Sequence, residues 1–375
     1  MTSPPSFSRI LFVGPLWQGS TSLSRLDGLR SLGLEIDHLD TTDWLPSGPR
    51  LVRSIVQRAF LHPSVYRMNM RLRNLLCQTR YDVVWIEKGE WLYPWTLSGP
   101  RRRGYAVIHY NTDDLLGRYD HFWLHRMGIK NCDLYLTTNR YNVVEIRNRY
   151  GIQTARAGMG FDHTFCRPVD VSDQKTLDVV FIGHWEPHTE EYIMALRNAG
   201  IDVQVWGHNW WKASNNWLHK VKPLPFVDYA ATISRAKMAL CSLSRWNRNE
   251  STGRSFEIPA IGTMLLAEYT AEHEFIYGGD GQGAVLFSNP GDLVGKARYY
   301  LDKPVARQEI ATAGHKLSKV PGHSWADHMR REWPIVERKL TQPGSLLACN
   351  ENAPFWPGFR DGAMPPEMRK NKQED

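Results

Sequence analysis

The chain has 375 residues, 42% hydrophobic and 23% charged, an ordinary globular composition with enough length for two sizeable cores. No apolar run approaches the ~20 residues needed to span a bilayer, and five scattered cysteines (Cys77, Cys132, Cys166, Cys241, Cys349) without a CxxC argue against a disulfide framework or a zinc site. The formal net charge of +7 points to anionic partners: a nucleotide, an acidic polymer or an anionic membrane surface.

The start, "MTSPPSFSRILFVG", has no secretory signal and runs straight into a short apolar strand. A cytoplasmic protein is expected, with peripheral contact at the inner face of the membrane as an extension of that reading. "RILFVG" ends at Gly14, the polar loop "GPLWQGSTS" follows, and Leu23, Leu26 and Leu29 mark one face of a helix that stops at Gly33. "LEIDHLD" then reads as a second strand, and "YDVVWIE", "YAVIHYN" and "CDLYLTT" as three further buried strands. Between them, "SGPRRRGY" is the densest basic run, too short to argue for nucleic acid and without an accompanying motif. The polar stretch "CRPVDVSDQKT" is the expected linker.

The same grammar then repeats. "LDVVFIGHWEPHTEEYIMALRNAGIDVQVWG" has a strand ending at Gly183, a helix face of Tyr192, Ile193 and Leu196, a stop at Gly200 and a returning strand. "KMALCSL", "TMLLAE" and "AVLFS" complete the set. Apolar strands alternating with helices predict an α/β protein of two Rossmann-like domains, residues 1–168 and 169–340, with parallel sheets facing a central cleft. Residues 341–375 lose periodicity and are expected to be a partly disordered tail in which "PFWPGF" serves as an aromatic clip. Ligands of open parallel sheets bind beyond the carboxyl ends of the strands, so the loops after Gly14, His109, Gly183, Leu243 and Glu268 are the ones to watch.

The segment "TGRSFEIPAIGTMLLAE" poses a sharper question, because Glu257 sits among apolar neighbours where an unpaired charge is costly. Ser251 or Thr252 can cap a short helix, Gly262 can end it, and Pro259 makes it short or kinked. Arg254 and Glu257 are three residues apart and share a face. Two readings stay open: an internal Arg254–Glu257 ion pair, or Glu257 accepting hydrogen bonds from a ribose diol while Arg254 and the helix amides hold a phosphate.

The segment "TGRSFEIPAIGTMLLAEYTAEHEF" resembles the signature of the CgeB-like group of glycosyltransferases of the GT-B architecture, through Arg254, Phe256, Glu257, Ala260 and Gly262. "YGIQTARAGMGFDHTFCRP" is similar to that family's domain linker, with Gly160, Asp162, Phe165 and Pro168 in place, and the later segments resemble its nucleotide-binding domain and closing helices. The resemblance implies transfer of a sugar from a nucleoside diphosphate sugar to a hydroxyl acceptor, an anionic glycan or a lipid-linked acceptor among the candidates, without metal or other cofactor. It implies a nucleotide-sugar site made by Gly183, His184, Asn249, Glu250, Arg254, Ser255, Phe256 and Glu257. The wider family carries a donor-sugar glutamate eight positions before Glu257; here that position is Asn249, with Glu250 beside it. The basic residue usual in the loop after Gly183 is also missing, with His184 and His188 as substitutes.

On the acceptor side the resemblance implies a polar residue in "VIHYNTDDLLGRYDHFW", so His109, Asp113 and Asp114 are catalytic candidates. For the two aspartates, an Asx turn is the competing reading. Gly19 and Ser20 are candidates for admitting an acceptor. Of the tryptophans in "WGHNWWKASNNWLHK", Trp206 reads as core and Trp210, Trp211 and Trp217 as surface packing, with stacking on a sugar or base as the alternative. Two rival functions are a non-catalytic scaffold on the same fold and a nucleotide-sugar epimerase using Glu250 with His109 or Asp113.

Overall fold

The computed structural model describes residues 7, 9–44, 62–101, 104–117, 123–170 and 175–341. Residues 171–174 of the expected linker, part of the "SGPRRRGY" run and the whole tail with its "PFWPGF" clip lie outside the described residues. In chain order come β1 (Arg9–Gly14), α1 (Thr21–Arg30), β2 (Glu35–Asp40), α2 (Pro63–Gln78), β3 (Val83–Glu87), α3 (Pro94–Arg101), β4 (Ala106–Asn111), α4 (Trp123–Gly128), β5 (Leu134–Thr137), α5 (Arg140–Tyr150) and β6 (Gln153–Arg156). There follow β7 (Leu177–Ile182), α6 (Pro187–Asn198), β8 (Val203–Trp206), α7 (Tyr229–Arg235), β9 (Ala236–Cys241), α8 (Gly253–Ile261), β10 (Met264–Glu268), α9 (Ala271–Tyr277), β11 (Val285–Phe287), α10 (Pro290–Asp302), α11 (Pro304–Leu317) and α12 (Trp325–Thr341). Among the described residues no helix is long and apolar enough to cross a membrane.

These elements form two compact units, each on its own parallel sheet. The first sheet runs β2-β1-β3-β4-β5-β6 and the second β11-β10-β9-β7-β8. The expected pair of Rossmann-like α/β domains is present, but divided differently. The chain leaves the first unit at Gly158, ten residues before the expected boundary, and re-enters it twice, with Trp246–Arg248 and again from Trp325. The closing helix α12 therefore belongs to the first unit, where it packs on α1.

The strands form where the sequence is continuously apolar: Ile10–Val13 and Val83–Ile86 are at most 1% exposed. Gly33 and Gly200 adopt the expected left-handed conformation, each at φ +80°. The strand "QTAR" (β6) was not anticipated; it lacks an apolar run and forms by pairing with β5.

In the first unit one charged pair sits at the centre. Arg25 on α1 and Glu87 at the end of β3 have side chains 0% exposed, with Nε donating to Oε1 at 2.9 Å. The Trp85 indole N–H donates to the same carboxylate at 2.9 Å. The Arg25 guanidinium lies against the Tyr110 ring at 4.3 Å and the Trp325 ring of α12 at 4.5 Å. Gly14 is glycine because a Cβ there would sit 2.5 Å from Cβ of Glu87. The exit from the unit is fastened nearby: the Gly158 N–H donates to Glu332 Oε1 at 2.8 Å, the Tyr110 hydroxyl donates to the Gly158 carbonyl at 3.1 Å, and a Cβ at 158 would collide with the His328 ring.

Removing one member of a buried pair strands the other without water. Glu87→Gln should lower stability by about 3–5 kcal/mol in urea denaturation. The double variant Arg25→Met, Glu87→Leu should recover most of that loss; a double variant as unstable as the single one would show that the pair matters through geometry rather than through charge.

Candidate functional site

In the second sheet, β7 lies between β8 and β9, so the chain turns to opposite sides after β7 and after β9. Ligands of such sheets bind at this switch point, beyond the carboxyl ends of the two strands. Two glycines clear the backbone there. A Cβ at Gly207, which stands at φ +145°, would come within 1.7 Å of the Gly183 carbonyl oxygen, and one at Gly183 would meet the Phe181 ring at 2.6 Å and the Arg254 guanidinium carbon at 3.5 Å. The Trp210 indole N–H donates to the Gly183 carbonyl at 3.0 Å and fixes its direction. Trp210 is thus the core tryptophan of its cluster, at 1% exposure; Trp211 is exposed, and the Arg197 guanidinium lies 3.8 Å from the Trp217 ring.

Helix α8 starts at the same place. Thr252 is its N-cap, and its hydroxyl accepts the Arg254 N–H at 3.2 Å while the Thr252 N–H donates to the Ser255 hydroxyl oxygen at 3.0 Å, a reciprocal capping box. Buried His273 sets the direction of that hydroxyl. Its Nδ1–H donates to the Glu268 carbonyl at 2.7 Å, which leaves Nε2 to accept from Ser255 at 2.8 Å. Burial holds the His273 imidazole below its ordinary pKa, consistent with one neutral tautomer.

Arg254 and Glu257 do not pair. The Arg254 Nε–H donates to the Ile182 carbonyl, and among the described residues no hydrogen bond occupies its two terminal nitrogens. Glu257 Oε2 accepts the Tyr229 hydroxyl at 2.6 Å, while Oε1 stands 3.0 Å from where a Cβ on Gly253 would be. Burial pushes the Glu257 carboxyl above its ordinary range, against the opposing pull of the Arg254 charge and the Tyr229 hydrogen bond. Tyr229 is backed by Phe165, which stacks on Phe226 at 3.7 Å. The internal ion pair left open by the sequence is therefore corrected: a backbone carbonyl and a tyrosine hold the two side chains apart.

Other expected residues of this site are placed as follows. The His184 ring stacks on His208 at 5.4 Å, and desolvation with the nearby Arg254 charge holds its pKa below the ordinary value. Asn249 donates its N–H to the Ser244 carbonyl at 3.1 Å, and the Glu250 carbonyl accepts the Thr270 hydroxyl at 2.8 Å. Ser255 and Phe256, expected to bind nucleotide, are 0% and 1% exposed. The Ser255 hydroxyl is spent on the cap and Phe256 packs toward His323 at 5.4 Å, so their side chains are structural and only their backbone can face a ligand. Sequence reading missed Tyr229, which carries no motif in "PFVDYAA", and Gly207, which ends its strand as Gly183 does. It also missed Glu268, whose buried carboxylate accepts the Leu243 N–H at 2.7 Å, the Ser242 hydroxyl at 3.1 Å and Arg245 Nη2 at 2.9 Å, bracing the loop that leads to α8.

In the first unit the catalytic candidates separate. His109 is 1% exposed, packed between His125 (ring nitrogens 3.3 Å apart) and Tyr135, and burial lowers its pKa to about 3. Its interior position corrects its expected role as a base. Asp114 is also withdrawn: its side chain is 0% exposed, its carboxylate is gripped by Arg248 and accepts the Leu116 N–H at 3.1 Å, the Asx turn anticipated as the competing reading. Asp113 is half-exposed and pairs with Lys88 Nζ at 2.8 Å. Burial alone would raise its carboxyl, but the Lys88 charge and hydrogen bonds from Lys88 and Asn247 outweigh it and hold the pKa below the ordinary value. Lys88 itself stands at φ 60°, left-handed backbone that a non-glycine residue adopts at a cost. Ser20 caps α1, its hydroxyl oxygen accepting the Leu23 N–H at 3.1 Å and its proton going to the Pro15 carbonyl at 2.9 Å; Gly19 precedes it at φ 90°.

Residues 188–331 match a family model described as glycosyl transferase-like. No curated protein sequence matches the chain. Sucrose-phosphate synthase from Thermosynechococcus elongatus aligns with TM-score 0.62 at 11% identity, covering 90% of this chain and 100% of that one. Trehalose 6-phosphate synthase from Burkholderia multivorans aligns with TM-score 0.56 at 12% identity, over 90% and 98%. A putative UDP-N-acetylglucosamine 2-epimerase from Listeria monocytogenes aligns with TM-score 0.53 at 10% identity, over 90% and 98%. The fold is thus that of GT-B proteins, two parallel-sheet Rossmann-like domains, and the second unit carries a glycosyltransferase-like segment.

The buried histidines make a pH prediction. His109 takes up a proton near pH 6.5 when unfolded but only near pH 3 when folded, so its contribution to stability is fully present above about pH 6.5 and is lost progressively as pH falls towards 3. Denaturant melts between pH 7.5 and pH 4 should show a shallower decline for His109→Gln than for the wild type; parallel declines would mean that His109 is protonated without penalty.

Proposed function

We propose that the protein is a glycosyltransferase that moves a sugar from a nucleoside diphosphate sugar to a hydroxyl acceptor. The observation that carries the reading is the arrangement of Arg254 and Glu257: a cation and a carboxylate on the first turns of one helix, at a switch point cleared by glycines, held apart rather than paired. Held in this way, each keeps capacity for a ligand. The terminal guanidinium nitrogens suit a diphosphate, and the amino end of α8 adds favourable dipole to the same anion. The Glu257 carboxylate suits a ribose diol.

In the transfer, the acceptor oxygen bonds to the anomeric carbon as the bond from that carbon to the diphosphate oxygen breaks. The electron pair leaves with the nucleoside diphosphate, and Arg254 with the helix amides stabilises the charge that builds there. Glu257 anchors the nucleoside so that binding energy positions the anomeric carbon. The acceptor proton requires a base, and Asp113, ionised at neutral pH and half-exposed, is the accessible one of the three acceptor-side candidates. His184 and His188 are the substitutes for a cation in the loop after Gly183, and His188 is braced by a 2.7 Å hydrogen bond to the Leu243 carbonyl.

A thermal-shift series with UDP, GDP, CDP, dTDP and ADP tests the donor site. One nucleotide at about 100 times its dissociation constant should stabilise the wild type by about 2.7 kcal/mol. Arg254→Ala and Glu257→Gln should each abolish that shift. Because the folded protein holds the Glu257 carboxyl above its ordinary pKa, Glu257→Gln should leave the free protein at least as stable as wild type at pH 7, with the difference shrinking as pH falls through the carboxyl's titration. A Glu257→Gln protein that is clearly less stable and still shifts with nucleotide would make Glu257 a structural residue. Consumption of nucleotide-sugar only when an acceptor is added separates transfer from epimerisation.

A further inference from the structure

One surface of the first unit is unexplained by sugar transfer. From His62 to Tyr81 the sequence contains four arginines and no aspartate, glutamate or lysine. Helix α2 lies in this run. Its inner face is Val65, Met68, Leu72 and Leu76, all at most 3% exposed. Its outer face presents Arg67, Arg71 and Arg73, all exposed, and among the described residues none of the three has an ion-pair partner. Tyr66 on the same helix is 54% exposed and stands 6.3 Å from the ring of Trp95 on α3, itself 38% exposed. Tyr93 stacks on Trp95 at 5.6 Å, and the Arg73 guanidinium lies 6.0 Å from the Trp95 ring. On α4, which packs against α3, Trp123 and Met127 are four residues apart and 46% and 55% exposed.

We propose that this face of α2, with Trp95, docks on an anionic phospholipid bilayer. Three features match that partner. The arginines, with no acidic neighbour in the run to neutralise them, are attracted to a negative surface and bind lipid phosphates. Exposed Trp and Tyr rings beside them are the side chains that settle at the boundary between headgroups and acyl chains. Arg67 and Arg71 border the outward side of α2 on one flank and Tyr66 and Arg73, beside Trp95, on the other, a broad convex surface that a planar bilayer can meet, whereas stacking on the bases of a nucleic acid needs a groove that brackets them. The inference is independent of the donor-site reading.

Flotation with phosphatidylcholine vesicles, with and without phosphatidylglycerol, tests it. The protein should float only with the anionic vesicles, and rising ionic strength should release it. The triple variant Arg67→Gln, Arg71→Gln, Arg73→Gln should bind about two orders of magnitude more weakly. It should keep the wild-type melting temperature, since all three side chains are exposed. Bromine-labelled lipid should quench less fluorescence in Trp95→Phe than in wild type. No flotation at low salt, or a triple variant that floats like wild type, overturns the proposal. Binding to a single-stranded oligonucleotide through the same arginines, with vesicles ignored, would overturn it as well and give the face to nucleic acid.

Discussion

A guanidinium taken out of water must be answered by a carboxylate, and in the first unit that requirement organises everything around Arg25. Its partner Glu87 ends β3, Gly14 of β1 gives up its side chain to make room, Tyr110 of β4 lies against the cation, and Trp325 of α12 closes over it. The place is the switch point of the first sheet, between β1 and β3. The second sheet has the same strand order around its own switch point, and there the cation is Arg254, tied to a backbone carbonyl instead of a carboxylate. One sheet has filled its crevice with a salt bridge. The other has kept the two charges of its crevice apart. That difference, more than the shared fold, is why the nucleotide is assigned to the second unit.

Keeping Arg254 and Glu257 apart costs free energy in the unliganded protein, since each would gain from the other's charge. The surroundings hold the arrangement in place. The capping box and His273 fix the first turn of α8, the Glu268 carboxylate collects donors from the loop before it, and Tyr229 commits one oxygen of Glu257. Such a network orders a site before the ligand arrives, which reduces what binding must spend on ordering side chains. It also explains why Ser255, in the middle of the recognisable motif, is a structural residue: the hydroxyl that makes the cap is unable to reach a ligand as well.

The sheets were legible because parallel strands buried on both faces are continuously apolar, and "RILFVG" or "TMLLAE" can be little else. The short helix over Gly253–Ile261 was legible from Thr252, Pro259 and Gly262. Arg25 was not, because the leucine face of α1 marks one buried side and gives no hint that the helix is buried on the arginine's side too. His109 and Asp114 read as catalytic because a polar residue at a strand end has two fates, a site or a satisfied interior, and only the neighbours His125, 16 residues on, and Arg248, 134 residues on, decide between them. Tyr229 and Gly207 have no local pattern at all. The polar stretch near 170 looks like a linker, while the contacts divide the chain at Gly158, whose N–H is held by Glu332 of the last described helix, a partner no local pattern announces.

That fastening has a consequence for how the protein is made. The first unit is interrupted: most of its residues are synthesised early, but Trp325 and Glu332 emerge from the ribosome only after every described residue of the second unit. Until then Arg25 lacks one of its two aromatic covers and Gly158 lacks its carboxylate. The described part of the second unit, by contrast, has its whole sheet synthesised when Ser324 appears. The order of folding should therefore invert the order of synthesis, with the later unit closing first and the earlier one waiting for its last helix, and a chain cut short just before Trp325 would keep the second unit while losing the first.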